Sequence, residues 1–581
     1  MKYLLGAINA KYIHSNLGVY SLKAYASQEL SREKGKNALP EIEIGEYTIN
    51  HSFPEILADI YRRRPDVAAL SCYIWNVDYV EKLIREIPKV LPETEIWLGG
   101  PEVSYHGAEF LRRFPQVRLI MKGEGEETFF RLIRCREDKR EEALYAEALG
   151  KIPGIVYRDP ENGEIQDNAM APEMEMDRIP FPYGEKEDFA HRIFYYESSR
   201  GCPFACSYCL SSLDRKVRFR SLELVFPELQ FFLDHQARQV KFVDRTFNVS
   251  PSRTIAIWQY LRDHDNGITN FHFEISADLF TEDEIKVMKT LRPGLIQLEI
   301  GVQSANPRTL QEIRRKTDLV KVEAMTAAVR EGRNIHQHLD LIAGLPFEDL
   351  ESFLESFDRI FAMKPDQLQL GFLKVLKGSY LEERQKDYQL IAADEPPFEV
   401  LSTKWLSYAD VLELKQVEEM VEIYYNSGQF TWSMEALVKE FSRPSQLFQE
   451  LGRWYEKNGL NQIGHSRLAR YELLFSFVQE KFPKKEEMFR DSLTVDYYLR
   501  ENKGVRPGFS RDLKPFHQSF RAFYQQEEKE RRYLNNYKDF DSRQMAKMTH
   551  LEVTREGKAL LFDYRSRDPL TNNGTLILVE L

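Results

Sequence analysis

Residues 193–209 read IFYYESSRGCPFACSYC, and this stretch decides the fold. A β-rich apolar run ends in the turn Arg200-Gly201, and Cys202, Cys206 and Cys209 follow within eight residues, so three thiols gather in one loop at the C-terminal end of a strand. Thiolates are the soft ligands that an iron–sulfur cluster requires. A closed structural zinc site would need four protein ligands, usually as two CxxC-like pairs, and the chain has no second pair. Three thiolates on a four-iron cluster leave one iron open to a substrate or cofactor. Cys72 and Cys135 stand alone, and five cysteines in 581 residues cannot make a disulfide scaffold.

Downstream of the loop, QVKFVDRTF, NFHFEISADL, LIQLEIGVQS, HQHLDLIAGL and QLQLGFLKV alternate with segments of helical period such as ELVFPELQFFLDH and TEDEIKVMKTLR. Together with IFYYESSRG they give six strands in βα order, which predicts a partial (β/α)6 barrel of TIM type over residues 191–400, with functional residues at the strand C-termini. Upstream, YLLGAIN, IEIGEYTI, VAALSCYI, EIWLGG and LIMKG alternate with stretches such as NVDYVEKLIREIPKV. That pattern predicts a doubly wound parallel sheet, Rossmann- or flavodoxin-like, over residues 1–150. Its ligand mouth lies in the loops after Asn9, Ser71 and Gly100. Chain breakers between 151 and 190 predict a small hairpin and a linker, and residues 401–581 change to long helical stretches. The chain reads as a multidomain α/β protein with a mostly α-helical C-terminal domain.

Composition narrows the function classes. Hydrophobic residues make up 43% and charged residues 29%, ordinary for globular domains. With 80 Lys+Arg against 91 Asp+Glu the net charge is −11, so no global positive field draws the chain to nucleic acid or anionic lipid. The N-terminal apolar run is broken by Asn9 and Lys11, and nowhere do about 18 uninterrupted apolar residues occur. The expectation is a cytoplasmic protein without a membrane anchor.

The loop resembles the hallmark of the radical S-adenosylmethionine (SAM) superfamily, CxxxCxxC after the first strand of a partial barrel. The resemblance implies that Cys202, Cys206 and Cys209 hold a 4Fe–4S cluster whose open iron binds SAM. One electron from a reductant such as flavodoxin or ferredoxin then cleaves SAM to methionine and a 5′-deoxyadenosyl radical. It further implies that Tyr208 lies against the SAM adenine and the cluster, although an aromatic beside a thiolate loop also serves plain packing. In LEIGVQSANPRTLQEIRRKTD, similar to the SAM-holding strand and helix of that family, Glu299 and Gln303 project from a strand end and Arg315 pairs with the SAM carboxylate. The surface-charge reading of Arg314-Arg315-Lys316 stands beside it. FVDRTFN puts Asp244 where relatives hold the SAM amino group. FEISADL offers Glu274, Ser276 and Asp278, of which Asp278 also suits a helix cap. Gly344 and Pro346 in LDLIAGLP resemble the turn near the SAM adenine, where glycine permits close approach.

Placed before such a barrel, the N-terminal sheet with SCYIWN, LGGPE and KGEGEETF resembles the cobalamin-binding domain of the cobalamin-dependent branch. The resemblance places Asn9, Ser71, Tyr73, Asn76, Gly99 and Gly100 around the corrin and its nucleotide tail. The cobalt-binding motif DxHxxG is absent: the first loop reads NAKYIHSNLG, and His14 reads as solvent-exposed or hydrogen-bonded rather than ligating. With both cofactors, the resemblance implies methylation of an unactivated carbon. A rearrangement or cyclisation without methyl transfer, or a non-catalytic cobalamin or cluster sensor, are the competing readings. RNA methylthiolation is set aside, because its second cluster needs three more cysteines and only Cys72 and Cys135 are left. In the helical domain, LTVDYYLRENKGVRPGF with Arg500, Lys503 and Arg506 reads as an amphipathic helix and turn in preference to an RNA contact.

Overall fold

The structure, a computed structural model, describes residues 1–11, 14–34, 39–138, 142–159, 161–184, 191–461, 463–502 and 504–581. Tyr12 and Ile13 of the first loop, part of the expected linker (185–190) and Lys503 lie outside the described residues.

Strands β1 (Lys2–Asn9), β2 (Glu41–Thr48), β3 (Val67–Ser71), β4 (Glu95–Gly99) and β5 (Val117–Met121) run parallel in the order β2-β1-β3-β4-β5. Alternate side chains of β1 enter opposite cores. Tyr3, Leu5 and Ala7 pack with Trp97 and Phe129, whereas Leu4 and Ile8 pack with Ile56 and Ile84. Burial on both faces is why these strands read as unbroken apolar runs. Helices Leu17–Lys34 and Glu126–Asp138 cover one face, and Phe53–Arg63 and Val77–Val90 the other. The hairpin expected after residue 150 is present as β6 (Ile155–Arg158) and β7 (Ile165–Asp167). It is not free-standing: β6 pairs antiparallel with β5, so the sheet continues to Asp167 and has seven strands.

The barrel strands are β8 (Ile193–Tyr196), β11 (Gln239–Phe242), β12 (Asn270–Ile275), β13 (Ile296–Gln303), β14 (His336–Ala343) and β15 (Gln367–Phe372). They pair in parallel and in sequence order, as the six motifs predict. A short antiparallel ladder of β9 (Ser199–Arg200) with β10 (Arg218–Phe219) closes the cysteine loop. Along β13, Ile296, Leu298, Ile300 and Val302 are buried under the helices, and the alternate residues Gln297, Glu299, Gly301 and Gln303 are only half-buried. β14 alternates in the same way, leaving His336, His338 and Asp340 on the half-buried face. Six strands leave the barrel open, so its lumen holds polar groups in place of the apolar layers that fill a closed eight-stranded one.

Beyond the barrel, β16 (Ile391–Ala392) and β17 (Val400–Ser402) form a small ladder, and helices Tyr408–Val421, Pro444–Lys457, Arg467–Lys481 and Glu486–Arg500 follow. The helical expectation omitted an antiparallel sheet of β18 (Thr549–Val553), β19 (Ala559–Arg567) and β20 (Gly574–Val579) at the end of the chain. Leu414 and Val417 share one continuous core with Leu368 and Phe372 of the barrel. The outer edge of β15 is finished by one side chain: Asn426 accepts from the Leu368 N–H at 2.9 Å and donates to the Leu368 carbonyl at 2.9 Å. Such an edge is otherwise open to foreign strands. No helix among the described residues is long and apolar enough to cross a membrane.

Asn426→Ala leaves both Leu368 groups unpaired at a partly buried edge, a cost of about 1–3 kcal/mol. Hydrogen exchange should show faster exchange at Leu368 with protection of β12 and β13 unchanged. Unaltered exchange at Leu368 would mean that water replaces Asn426 without loss.

Candidate active site

Gly201 begins the cysteine loop at φ +93°, and a Cβ there would lie 2.4 Å from the Lys216 carbonyl oxygen, so only glycine fits. The loop is fastened at three backbone points. The Cys202 N–H donates to the Asp214 carbonyl at 2.8 Å, the Ser207 N–H to the Ile313 carbonyl at 2.9 Å, and the Leu381 N–H to the Ser207 carbonyl at 2.9 Å. Cys202 and Cys206 are buried and Cys209 is half-buried. No three His, Cys, Asp or Glu side chains among the described residues converge on a single ion. A four-iron cluster does not ask them to, since each thiolate takes its own iron, whereas zinc needs its ligands on one centre. Cys72 is fully buried in one core of the N-terminal sheet and Cys135 packs against the other, far from ligating roles.

The three cysteines, Tyr208, Glu274, Ser276, Glu299, Gln303 and Arg315 line one cavity of ≈ 180 Å³ at the strand C-termini. Arg315 is aimed inward: one Nη lies 3.3 Å from the Tyr208 hydroxyl and 3.7 Å from Cys206 Sγ, and the other donates to the Gly301 carbonyl. Lys316 beside it is exposed. Glu299 accepts from His272 Nε2 at 2.7 Å and from Lys241 Nζ at 3.0 Å. Burial alone would raise its pKa, but these two partners outweigh burial and hold the carboxyl well below its usual range. Glu274 has weaker partners, Lys241 and Arg245 at 4.0 Å each, and burial raises its pKa. Gln303 sits at φ +75°, a conformation rare for residues with a side chain, next to a bulge at Gly301, where a Cβ would meet Gln303 Nε2 at 2.4 Å. Its Oε1 and the Arg315 Nε are buried without partners, as groups awaiting a ligand are.

Three positions expected in the barrel come out differently. Asp244 does not line the cavity: its carboxylate is 1% exposed and accepts from the Ser198 N–H (2.8 Å), Ser198 Oγ (2.7 Å) and Ser199 Oγ (2.5 Å). Burial pushes it up to about 6 despite those bonds. Its neighbours Arg245 and Thr246 reach the cavity instead. Asp278 does not cap the following helix; Thr281 does, in a capping box with Glu284. Gly344, at φ +91°, makes room for Val400, whose Cγ1 would lie 2.8 Å from a Cβ.

The N-terminal mouth is a second chamber in two connected parts. A cavity of ≈ 270 Å³ is lined by Ser71, Tyr73, Gly99 and Gly100, and one of ≈ 730 Å³ by Asn9, His14, Tyr73 and Trp75. Tyr73 stacks on Trp75 with ring centres 4.5 Å apart. Gly100 has φ +110°, and a Cβ would fall 2.4 Å from the Cys72 carbonyl oxygen. The Ser71 hydroxyl is buried without a partner. Asn76 faces neither cavity: fully buried, it donates to the Ile8 and Ser71 carbonyls at 3.0 Å and accepts from the Tyr73 N–H at 2.8 Å, which fastens the loop that presents Tyr73. His14 Nδ1 is bonded to the Tyr195 hydroxyl at 2.7 Å, and burial lowers its pKa, so it is held neutral and hydrogen-bonded. Gly123, Gly125 and Glu126 join both parts of the chamber; the motif KGEGEETF carries them, but glycines give no side-chain signal in a sequence.

The two chambers meet. Arg245 and Glu274 line both the barrel cavity and the larger N-terminal one. A strap after β15 ties their rims together: Lys377 pairs with buried Glu102 at 2.5 Å, Glu382 with His106 at 3.1 Å, and Leu381 holds the cysteine loop as above.

Residues 196–360 match the radical SAM superfamily, residues 3–133 the B12 binding domain, and residues 386–564 a family described only as a protein of unknown function. An uncharacterized methyltransferase of Pyrococcus horikoshii is 28% identical over 69% of this chain and 84% of that protein. The cobalamin-dependent radical SAM methyltransferase TokK of Streptomyces tokunonensis is 26% identical over 55% of this chain, which spans 49% of TokK. The solved structure of the cobalamin-dependent S-adenosylmethionine radical enzyme OxsB with aqua-cobalamin bound shares the fold, with a TM-score of 0.57 at 16% identity over 85% of this chain and 79% of that one. The chain belongs to the radical SAM superfamily of enzymes, in the branch that carries a B12-binding domain ahead of the barrel. Its cofactors are a 4Fe–4S cluster, SAM and cobalamin. The soft thiol set, the unpartnered Gln303 and Arg315 atoms and the glycine cradle at Gly100 suit those groups.

Replacing Cys202, Cys206 or Cys209 with Ala should abolish cluster assembly, whereas Cys72→Ala and Cys135→Ala should retain four irons per chain, measured by iron analysis after anaerobic reconstitution. Cluster loss in either of the last two variants would sink the ligand assignment. Gly100→Ala should reduce corrin retained after desalting by more than tenfold with cluster content unchanged. Equal corrin absorbance in Gly100→Ala and wild type would show that the turn is not part of that site.

Proposed function

We propose that the enzyme methylates an unactivated carbon of its substrate. One observation carries the reading: the barrel cavity and the B12-domain chamber share Arg245 and Glu274, so a substrate carbon at that boundary is within reach of both cofactors. When bound, the cluster and SAM supply a carbon-centred radical, and cobalamin supplies the methyl group. The protein's own part is binding and orientation. Cys202, Cys206 and Cys209 ligate three irons. Arg315 and the free Gln303 oxygen take the carboxylate and amino ends of SAM, Ser276 and Tyr208 border it, and Glu299 is kept ionised by Lys241 and His272 on the same rim. Asn9, Ser71, Tyr73, Gly99 and Gly100 enclose the corrin, with Asn76 bracing Tyr73. The electron comes from a protein reductant of the flavodoxin or ferredoxin kind.

The reaction class is tested without knowing the substrate. Reconstituted enzyme with SAM and reductant under anaerobic conditions should form methylcobalamin and S-adenosylhomocysteine, and release 5′-deoxyadenosine. Deoxyadenosine without any cobalamin methylation would favour rearrangement or cyclisation. Formation of neither product would leave a sensor as the better reading.

Arg315 carries a sharper test. A buried charge-assisted pair broken on one side costs about 2–5 kcal/mol. Arg315→Ala should therefore weaken SAM binding at least about tenfold, roughly 1.4 kcal/mol, while Lys316→Ala should not. Anaerobic SAM titration with iron content measured on the same samples separates affinity from cluster loss. Equal affinity at four irons would return Arg315 to a packing role.

A further inference from the structure

The barrel has a second cavity at its other end. It measures ≈ 580 Å³ and lies between the N-terminal ends of β14 and β15 and the domain of unknown function. His336 lines it as the first residue of β14, whose last residue, Ala343, lies near the active cavity; at roughly 3.3 Å per residue the two ends are about 23 Å apart. No group assigned to the cluster, SAM or cobalamin reaches it. Its size falls within the range of small-molecule sites.

One part of the wall is apolar and aromatic: Phe361 and Tyr425, ring centres 4.8 Å apart, line it with Met434 and Val438 of helix Thr431–Val438 and with Leu570. Among the cations of the lining, Arg500 is the one held in place by hydrogen bonds on two sides. Its Nε donates to Asn573 Oδ1 at 3.0 Å and one Nη to the Gly428 carbonyl at 3.2 Å, which fixes the guanidinium in place. Gly428, at φ +60°, permits that approach, since a Cβ would lie 3.1 Å from the same Nη. Yet Arg500 has no carboxylate within 4.0 Å among the described residues, although nearby Arg467 pairs with Glu501 and Arg506 with Glu552. Burial and the charges of Arg467 and Arg567 lower its pKa, the signature of a cation lacking a counter-charge. His336 adds a buried Nδ1 without a partner, and Lys364 stands exposed at the mouth. Two acids share the lining, Asp366, which accepts from the Gln337 N–H at 2.8 Å, and exposed Glu435, 3.6 Å from Lys439, and neither lies within 4.0 Å of Arg500. The start of helix Thr431–Val438 is also taken, because Asp496 accepts from the Trp432 and Ser433 N–H groups at 2.9 and 2.8 Å.

We propose that this cavity is a binding site for a small amphiphilic anion, an apolar or aromatic body carrying one acidic head, with the head on Arg500 and the body between Tyr425 and Met434. The site is separate from the active cavity and does not rest on the methyltransferase reading. It gives the domain of unknown function a ligand of defined chemistry, held where that domain meets the barrel.

The probe is 8-anilinonaphthalene-1-sulfonate, titrated by calorimetry into full-length protein loaded with cobalamin. Wild type should show one saturable site. Arg500→Gln should weaken it at least tenfold, and Met434→Trp, which fills the cavity without touching Arg500, should abolish it. The neutral analogue N-phenyl-1-naphthylamine should bind wild type and Arg500→Gln alike. Circular dichroism and cobalamin content at wild-type levels confirm folding of each variant. Wild-type titration in Met434→Trp would overturn the site, and loss in Met434→Trp with none in Arg500→Gln would overturn its preference for anions.

Discussion

The guanidinium of Arg200 is the point on which the two halves of the active site turn. It lies one residue before Gly201 and the cysteine loop, and it pairs with Glu124 at 3.1 Å, Glu126 at 2.9 Å and Glu197 at 2.7 Å. Glu124 lies in the loop after β5 and Glu126 begins the helix that follows it, so the strand that leads to the cysteine loop is bolted to the segment that borders the N-terminal chamber. Arg192 with Glu46 at 2.8 Å and Arg218 with Glu124 at 2.6 Å repeat the arrangement, arginine from the barrel and glutamate from the sheet. Burying such charges is costly, and fully satisfied networks return that cost mainly as a single defined arrangement. Here the arrangement defined is the facing of the barrel cavity and the N-terminal chamber.

Much of this was legible in the chain itself. All six barrel strands coincide with the apolar runs of the sequence, because a parallel strand buried beneath helices has to be apolar on its helix-facing side. The cysteine loop is equally plain, since three thiols at that spacing have few other uses. What escaped the sequence is the direction in which a polar side chain points. Asp244 and Glu274 both stand at strand ends, but two serines at 198 and 199 capture Asp244 while Glu274 is left to the cavity. Asn76, which the resemblance places at the corrin, is a brace of its own loop. The final sheet is not legible because THLEV and ALLFDYRSR are short alternating segments lying after long helical ones, and the Arg200–Glu126 pair joins residues 74 apart, which no local pattern reveals.

The open lumen follows from strand number. A closed barrel excludes water with layers of branched side chains, whereas six strands leave a trough whose inner face is wet and can hold charge. In this trough Lys241 sits among Glu274, Glu299 and, further on, Asp340, and the helix-facing positions of β13 remain wholly apolar. One strand thus serves two environments by the alternation of its side chains alone.

The strap from Lys377 to Glu382 bears on how such proteins can be recombined. Segments matched as separate families look interchangeable on paper, and the middle one ends before the strap begins. Yet the strap touches the turn of Glu102 and His106 in the first and the cysteine loop in the second, and Gly378 can only be glycine because Tyr105 packs against it, with ring atoms 2.2 Å from where a Cβ would stand. A hybrid that borrows the B12-binding segment of a relative would meet this rim with foreign side chains. The first two segments are therefore joined through side chains of a strap that belongs to neither of them.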